Sequence, residues 1–320
     1  MHPDELPAAA ESAMREAEAA FGDPRLFVEK WVEPARHVEV QILGLPDGTV
    51  VALGERECSL QRRYQKIVEE SPSPFVTPDL REQLMEAAVR VARAAGYRNA
   101  GTVEFLVDRE GGFYFMEVNA RLQVEHPVTE MVLGLDLVRL QMEVALDESL
   151  SLPSRREPRG HAMEARLYAE DPNRQFLPQT GRLIEVSFPF RPGVRVDHGL
   201  VEGMEISPHY DPLLAKIIAW GMDREQARRR LLQALQETVV FGVQTNLNYL
   251  QDLLASGAFR SGETYTQTVA NLPPAAPTPE EVVAAAWVAW HAGHGQSTRP
   301  RFTENREAEL WDRLRGRWMP

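Results

Sequence analysis

The sharpest change of pattern along the chain lies in GTVEFLVDREGGFYFMEVNARLQVEHP, residues 101–127. Val103, Phe105 and Val107 alternate with Thr102, Glu104 and Leu106, and residues 113–118 are mostly aromatic and apolar, so both runs predict strands. Arg109-Glu110-Gly111-Gly112 between them is a short Gly-containing loop of the kind that joins antiparallel strands. Centring the turn on those residues pairs Asp108 with Phe113, Leu106 with Phe115, and Glu104 with Glu117. Like charges directly opposite one another destabilise a ladder. A divalent cation between them reverses the sign, because magnesium is typically held by one or two carboxylates plus substrate phosphates. Asn119 shares the face of Glu117 if the strand continues. Two solvated surface glutamates are the plain alternative.

The rest of the pattern falls into two parts. Residues 4–21 are Ala/Glu-rich and predict a helix, with Asp4 as N-cap and Gly22 as its stop. Strand patterns follow at 26–31 and 37–43, and the turn Leu45-Pro46-Asp47-Gly48 leads to another at 49–53, a second hairpin. Pro72, Pro74 and Pro78 break the chain before a helix over 78–95 capped by Thr77. After the glutamate hairpin come a helix around 135–145 and a polar, Pro-containing link at 152–159. The second part begins near Gly160, where HAMEARLYAE alternates like a strand, DPNRQFLPQTG reads as loop, and short strands continue through Asp197. Residues 223–238 predict an Arg-rich amphipathic helix and 246–256 another. Past Leu272, PPAAPTPEE is a linker, Thr278-Pro279-Glu280-Glu281 starts a short helix, and the tail to Pro320 is polar and Trp-bearing. Adjacent antiparallel strands with scattered helices predict an α+β fold, not a doubly wound sheet.

The 320 residues suffice for two domains and a substantial core. Thirty-five basic against 47 acidic residues leave a net charge of −12, which argues against a broad nucleic-acid or anionic-membrane surface but not against a local phosphate pocket. Lysine occurs only at Lys30, Lys66 and Lys216, arginine supplying the other basic residues, so each lysine is a candidate for a place needing a compact ammonium. The lone Cys58 permits no internal disulfide and reads as a buried small residue in a reducing compartment. The longest apolar run, 282–290, is too short to span a bilayer, and the first residues lack signal-peptide organisation, so a cytoplasmic location is expected. Neither Gly-rich phosphate loop occurs, nor zinc-ligand spacing, nor a nucleophile elbow. Metal-assisted phosphate chemistry would therefore rest on Glu104, Glu117 and Asn119 with lysine or arginine partners.

Four stretches carry a resemblance. EKWVEPARHVEVQ (29–41), ERECSLQRRYQKIVEESPSP (55–74), MEVNARLQVEHPVTEM (116–131) and HAMEARLYAEDP (161–172) together resemble biotin carboxylase. This is the ATP-grasp enzyme or domain of acetyl-, propionyl- and methylcrotonyl-CoA carboxylases and of pyruvate carboxylase. The resemblance runs in order from near residue 4 to about Leu272. It implies the C-terminal portion of an ATP-grasp fold followed by a biotin carboxylase C-terminal domain. The boundaries would be 1–31, a remnant of the lid subdomain; 32–151, the core; 160–272, the C-terminal domain; and 273–320, linker and tail.

The resemblance also implies roles. Glu104 and Glu117, assisted by Asn119, would hold two magnesium or manganese ions on the ATP phosphates. Glu29 and Lys30 would contact adenine, while His37 and Gln61 approach the ribose and phosphates. Lys66, Arg121, Gln123 and the Val124 backbone would bind bicarbonate. Glu125 would remove its proton so that it attacks the γ-phosphate. Arg166 would stabilise the enolate of biotin, and Tyr210 and Asp211 would lie on the biotin side. Read singly, Glu125 could be a surface acid, His37 a packing histidine, and Arg166 a partner of Glu164 or Glu170.

Against the family pattern, the Gly-rich lid and two ATP-binding lysines have no counterpart, and Tyr64 stands where histidine is usual. The expectation is an N-terminally truncated chain: a fragment, one half of a split enzyme completed by a separate N-terminal fragment, or a remnant without turnover. The carrier motif Ala-Met-Lys-Met is absent, so biotin would arrive on a carrier protein or domain of another chain. The other implied partners are a second copy of this chain and a carboxyltransferase subunit. The alternatives are a catalytically silent assembly module or another ATP-grasp carboxylate ligase.

Overall fold

The computed structural model describes residues 3–147 and 157–272. The helix expected from Thr278 and the tail to Pro320 lie outside the described residues, as does most of the link at 152–159. The main elements are α1 (Leu6–Phe21), β1 (Arg36–Gly44), β2 (Val50–Arg62), β3 (Gln65–Ser71), α2 (Pro78–Ala94), β4 (Asn99–Val107) and β5 (Phe113–Asn119). They continue as α3 (His126–Leu133), α4 (Leu137–Ala145), β6 (His161–Tyr168), β7 (Val194–His198), β8 (Leu213–Gly221), α5 (Arg224–Glu237) and α6 (Leu247–Ala255). The strands form one eight-stranded sheet in the order β7-β8-β6-β3-β2-β1-β4-β5, with every neighbouring pair antiparallel. The α+β expectation holds. Pairing of β3 with β6 carries the sheet from the first part of the chain into the second, setting Glu69 opposite Glu164.

Period-two alternation explains how β1 positions the site. Val38, Val40 and Ile42 pack with Val103 and Phe105 of β4 and with Leu80, Leu84 and Ala88 of α2. Burying each large aliphatic side chain of this kind contributes about 1.5–3 kcal/mol. Helix α2 starts where expected, the Thr77 hydroxyl accepting a bond from the Leu80 N–H at 3.3 Å and Pro78 lying in its first turn. On the opposite side of β1, His37, Glu39 and Gln41 are buried too, and these polar side chains enter the site. A second core joins β6 and β8 to α5 and α6 through Leu167, Ile217, Leu231 and Leu250. Val128 and Val132 of α3 and Leu137 of α4 pack with Leu43 and Ile218.

The glutamate hairpin reaches its expected pairing by an unexpected route. Near the turn Val107 faces Phe113 and Leu106 faces Tyr114, one residue off the expected register, and Met116 has no partner, so Glu104 still lies opposite Glu117. Such a bulge adds one residue to one strand and re-aims the residues beyond it. Asp108 builds the loop, its Oδ1 accepting from the N–H of Gly112 at 2.7 Å and of Glu110 at 3.1 Å.

Other expectations need correction. Residues 26–31 form no strand; Phe27, Val28 and Trp31 are 82%, 97% and 76% exposed, and no neighbouring strand among the described residues supplies the ladder bonds an apolar run requires. The first helix begins at Leu6 with Glu5 at its cap, because Pro3–Glu5 is a 3-10 turn, so Asp4 is not the N-cap; Gly22 does end it, at φ 69°. β2 runs well past residue 53, and β3 was not expected, since ERECSLQRRYQKIVEES is too charged to show a strand pattern. Arg63 and Tyr64 join those two strands with φ of 48° and 68°, a two-residue turn of the primed type. Helix α3 was likewise not expected. No helix among the described residues is long and apolar enough to cross a membrane.

Candidate active site

Cross-strand register sets a row of charges across four strands. Arg56 of β2 faces Glu39 of β1, Glu39 faces Glu104 of β4, and Glu104 faces Glu117 of β5. Glu39 and Glu104 are only 0% and 5% exposed, where an uncompensated charge is strongly destabilising. Neighbouring cations supply the compensation. Arg56 Nε donates to Glu39 Oε1 at 2.5 Å, and its other nitrogens donate to Gln41, Thr129, Thr102 and Gln123. Lys66 Nζ donates to Glu39 Oε2 at 2.6 Å, Glu104 Oε1 at 2.9 Å and Glu125 Oε1 at 2.6 Å. His37 Nε2 lies 3.0 Å from Glu104 Oε2, and Gln61 Nε2 lies 3.3 Å from His37 Nδ1.

These contacts set the charge states. Burial works against the Lys66 ammonium, but the surrounding acids, Glu39 foremost, outweigh it and raise its pKa. Burial likewise opposes ionisation of Glu104, yet His37 and Lys66 hold its carboxyl well below the usual range. Glu39 is also depressed, by Lys66 and Arg56 against the effect of burial. The Cys58 thiol is fully buried, as expected of a packing residue, and burial pushes its pKa up.

The segment after β5 folds back over this row. Arg121 is exposed and donates from Nη2 to Asn119 Oδ1 at 3.2 Å. Gln123 Nε2 donates to Glu104 Oε1 at 2.8 Å. The Val124 carbonyl accepts from Lys216 Nζ of β8 at 3.0 Å. Glu125, 2% exposed, immediately precedes α3 and accepts from Lys66 on one oxygen and from Arg166 Nη2 on the other at 2.9 Å. A carboxylate offers about four acceptor positions, so room for a proton remains on Glu125. Arg166 Nε also donates to Glu69 Oε1 at 2.5 Å. Arg166 hydrogen-bonds to neither Glu164 nor Glu170; Glu170 accepts from Arg62, and both Glu164 oxygens lack a partner among the described residues.

The donor set suits a hard divalent cation. Glu104 and Glu117 are opposed, and Asn119 Nδ2 reaches Oε1 of each at 3.1 Å, marking a point between the two carboxylates. Carboxylate oxygens are the ligands that magnesium or manganese prefers, and a flip of the Asn119 amide, whose oxygen here accepts from Arg121, would add a third oxygen. Ligand atoms of His37, Glu39 and Glu104, and of Glu39, Cys58 and Glu125, also converge within 4.8 Å, but Lys66 already bonds the three carboxylates of those groups.

The structure thus gathers Lys66, Glu104, Glu117, Asn119, Arg121, Gln123, Glu125, Arg166, His37 and Gln61 into one contact network, with Val124 between Gln123 and Glu125 in sequence and bonded to Lys216. Five named residues make none of those contacts. Glu29 is exposed, and Lys30 donates to the Tyr114 hydroxyl with its ammonium 4.4 Å from that ring. Tyr210 is 85% exposed, and Asp211 accepts from the Leu213 N–H. Tyr64 is 92% exposed at the tip of its turn. Glu39, Arg56 and Glu69 escaped the sequence reading. The alternation His37, Glu39, Gln41 against Val38, Val40, Ile42 was the available signal for Glu39.

Residues 1–152 match the profile of the carbamoyl-phosphate synthase L chain ATP-binding domain, and residues 164–271 that of the biotin carboxylase C-terminal domain. A pyruvate carboxylase subunit from Methanothermobacter thermautotrophicus is 46% identical over 267 residues, covering 83% of this chain and 54% of that protein. Biotin carboxylase of Nostoc sp. is 46% identical over 268 residues, covering 83% of this chain and 60% of that one. Among solved structures, the biotin carboxylase domain of a thermophilic 2-oxoglutarate carboxylase bound to bicarbonate superposes with a TM-score of 0.80 at 41% identity, over 84% of this chain and 61% of that one. A biotin carboxylase–nucleotide complex from Campylobacter jejuni gives 0.81 at 36% identity, over 85% and 60%. The chain therefore spans little more than half the length of these relatives. Matching both profiles in order, and its relatives across more than four-fifths of its length, this chain belongs to the biotin carboxylase family.

Proposed function

We propose that this chain carries the bicarbonate-activating site of an ATP-dependent biotin carboxylase. The observation that carries the reading is the shared geometry of Lys66, Glu125 and Arg166. One carboxylate lies between an ammonium that also bonds Glu104 and a guanidinium reaching in from β6. In this reading Lys66, Arg121, Gln123 and the Val124 backbone hold bicarbonate beside Glu125. Glu125 accepts the bicarbonate proton as the anion attacks the γ-phosphate of ATP, giving carboxyphosphate and ADP. Carboxyphosphate breaks down to CO2 and phosphate, the phosphate takes the ureido N–H proton of biotin, and Arg166 stabilises the resulting enolate, whose nitrogen bonds to CO2. Glu104 and Glu117, with Asn119, would hold two magnesium or manganese ions, which would neutralise phosphate charge. Glu29, Lys30, His37 and Gln61 are assigned to the nucleotide, and Tyr210 and Asp211 to the biotin side.

The proposed organisation is a lid remnant at 1–31, an ATP-grasp core at 32–151, the C-terminal domain at 160–272, and a linker beyond. The proposed partners are a biotin carrier, a carboxyltransferase and a second copy of this chain. The test is Glu125→Gln. Bicarbonate-dependent ADP release should be lost while calorimetry shows nucleotide binding retained, and undiminished release would sink the role of Glu125 as base.

A further inference from the structure

Behind Arg166 lies a pair of acids that the proposed chemistry does not use. Glu69 of β3 and Glu164 of β6 are direct cross-strand partners, and both are 0% exposed. Among the described residues, only Glu69 Oε1 of their four carboxyl oxygens has a hydrogen-bond partner, the Arg166 Nε–H at 2.5 Å. Two ionised carboxylates facing each other at fully buried positions, sharing one guanidinium bond, form an arrangement that electrostatics disfavours. One proton removes the conflict.

We propose that Glu69 and Glu164 form a buried acid pair that holds one proton near neutral pH, and that Glu69, the more acidic member, is the positioning residue for Arg166. The groups around the pair agree with this division. Burial pushes the Glu69 carboxyl up to about 7, with Glu125 adding to it, while Arg166 and Lys66 favour its ionised form and hold it below its neighbour. Around Glu164 burial dominates, followed by Glu69; Lys216 and Arg166 act against them but do not prevail, so its carboxyl is pushed well above the usual range. The pair has a mechanical consequence. Arg166 hangs between Glu125 and Glu69, at 2.9 and 2.5 Å. When Glu125 takes up a proton its hold on the guanidinium weakens, and the bond to Glu69 then keeps Arg166 in place. The catalytic sense of this positioning rests on the proposed function; the proton and the bond do not.

The test is spectroscopic and uses the intact chain. Infrared difference spectra near neutral pH should contain a protonated carboxyl band, absent in Glu164→Gln. Nitrogen–proton NMR, assigned with Arg166→Lys, should show a downfield Arg166 Nε–H resonance that survives in Glu164→Gln and is lost in Glu69→Gln. Glu69→Asp, with a shorter carboxylate, should give a shifted but protected signal and serves if Glu69→Gln does not fold. No protonated band near neutral pH, a band unchanged in Glu164→Gln, or an Arg166 signal indifferent to Glu69 would each overturn the proposal. Absence of biotin-dependent turnover alongside the expected spectra would count against the proposed function and leave the acid pair standing.

Discussion

Replacing Lys66 with methionine probes the centre of the charge row. The side chain is 11% exposed and its ammonium serves Glu39, Glu104 and Glu125 at once. Removing one partner from a buried ion pair costs about 3–5 kcal/mol. Three pairs break here, but Arg56 still holds Glu39, His37 lies against Glu104, and Arg166 still holds Glu125, so the loss stays near that range instead of tripling. At about 2–4 °C per kcal/mol for a chain of comparable size, Tm should fall by about 6–20 °C. The pH dependence has a definite sign. Glu39 and Glu104 have depressed folded-state pKa values, so their stabilisation is present above the unfolded carboxylate range and is lost as pH falls through their folded values. Without Lys66 those pKa values rise, and the variant is penalised for ionising the same carboxylates. The deficit relative to the natural chain should therefore be largest near about pH 8 and shrink toward about pH 5. Urea unfolding followed by circular dichroism at both pH values measures it. A deficit below about 1 kcal/mol, the worth of an exposed pair, or one independent of pH, would refute the reasoning.

The remaining expectations are narrower. Glu104→Gln should weaken manganese binding by at least about tenfold, or ~1.4 kcal/mol, in a calorimetric titration; equal affinity would refute the carboxylate pair as a metal site. Arg166→Ala should spare bicarbonate-dependent ADP release but lower biotin carboxylation by about 10²–10³-fold, and equal loss of both would contradict its assignment. Leu84→Ala, at a fully buried position between α2 and the sheet, should cost about 2–5 kcal/mol in urea unfolding; a cost under about 1 kcal/mol would mean the helix does not rely on that packing.

Much of this arrangement was legible because it is local. The alternation around Val103 and the loop Arg109–Gly112 were enough to place Glu104 against Glu117, and the pairing survives even though the register near the turn does not. Met116 was invisible because a bulge leaves no mark in an apolar run. What the pattern could not reveal is the set of contacts made across the sheet. Lys66 meets Glu39, Glu104 and Glu125 at separations of 27, 38 and 59 residues, and Arg166 meets Glu69 across 97. Arg166 looked like a partner for its neighbours Glu164 and Glu170, and only the β3–β6 pairing gives it Glu69 instead. The exposed stretch at 26–31 shows the converse error, since an apolar run becomes a strand only where another strand accepts its hydrogen bonds.

The most direct measurement is ADP release by the purified chain with magnesium, ATP and bicarbonate, with and without free biotin, beside a Lys66→Ala control. The proposed chemistry predicts release that requires bicarbonate, rises with biotin and disappears in the control. Release indifferent to bicarbonate, release that persists in the control, or none from a chain shown to be folded would contradict it.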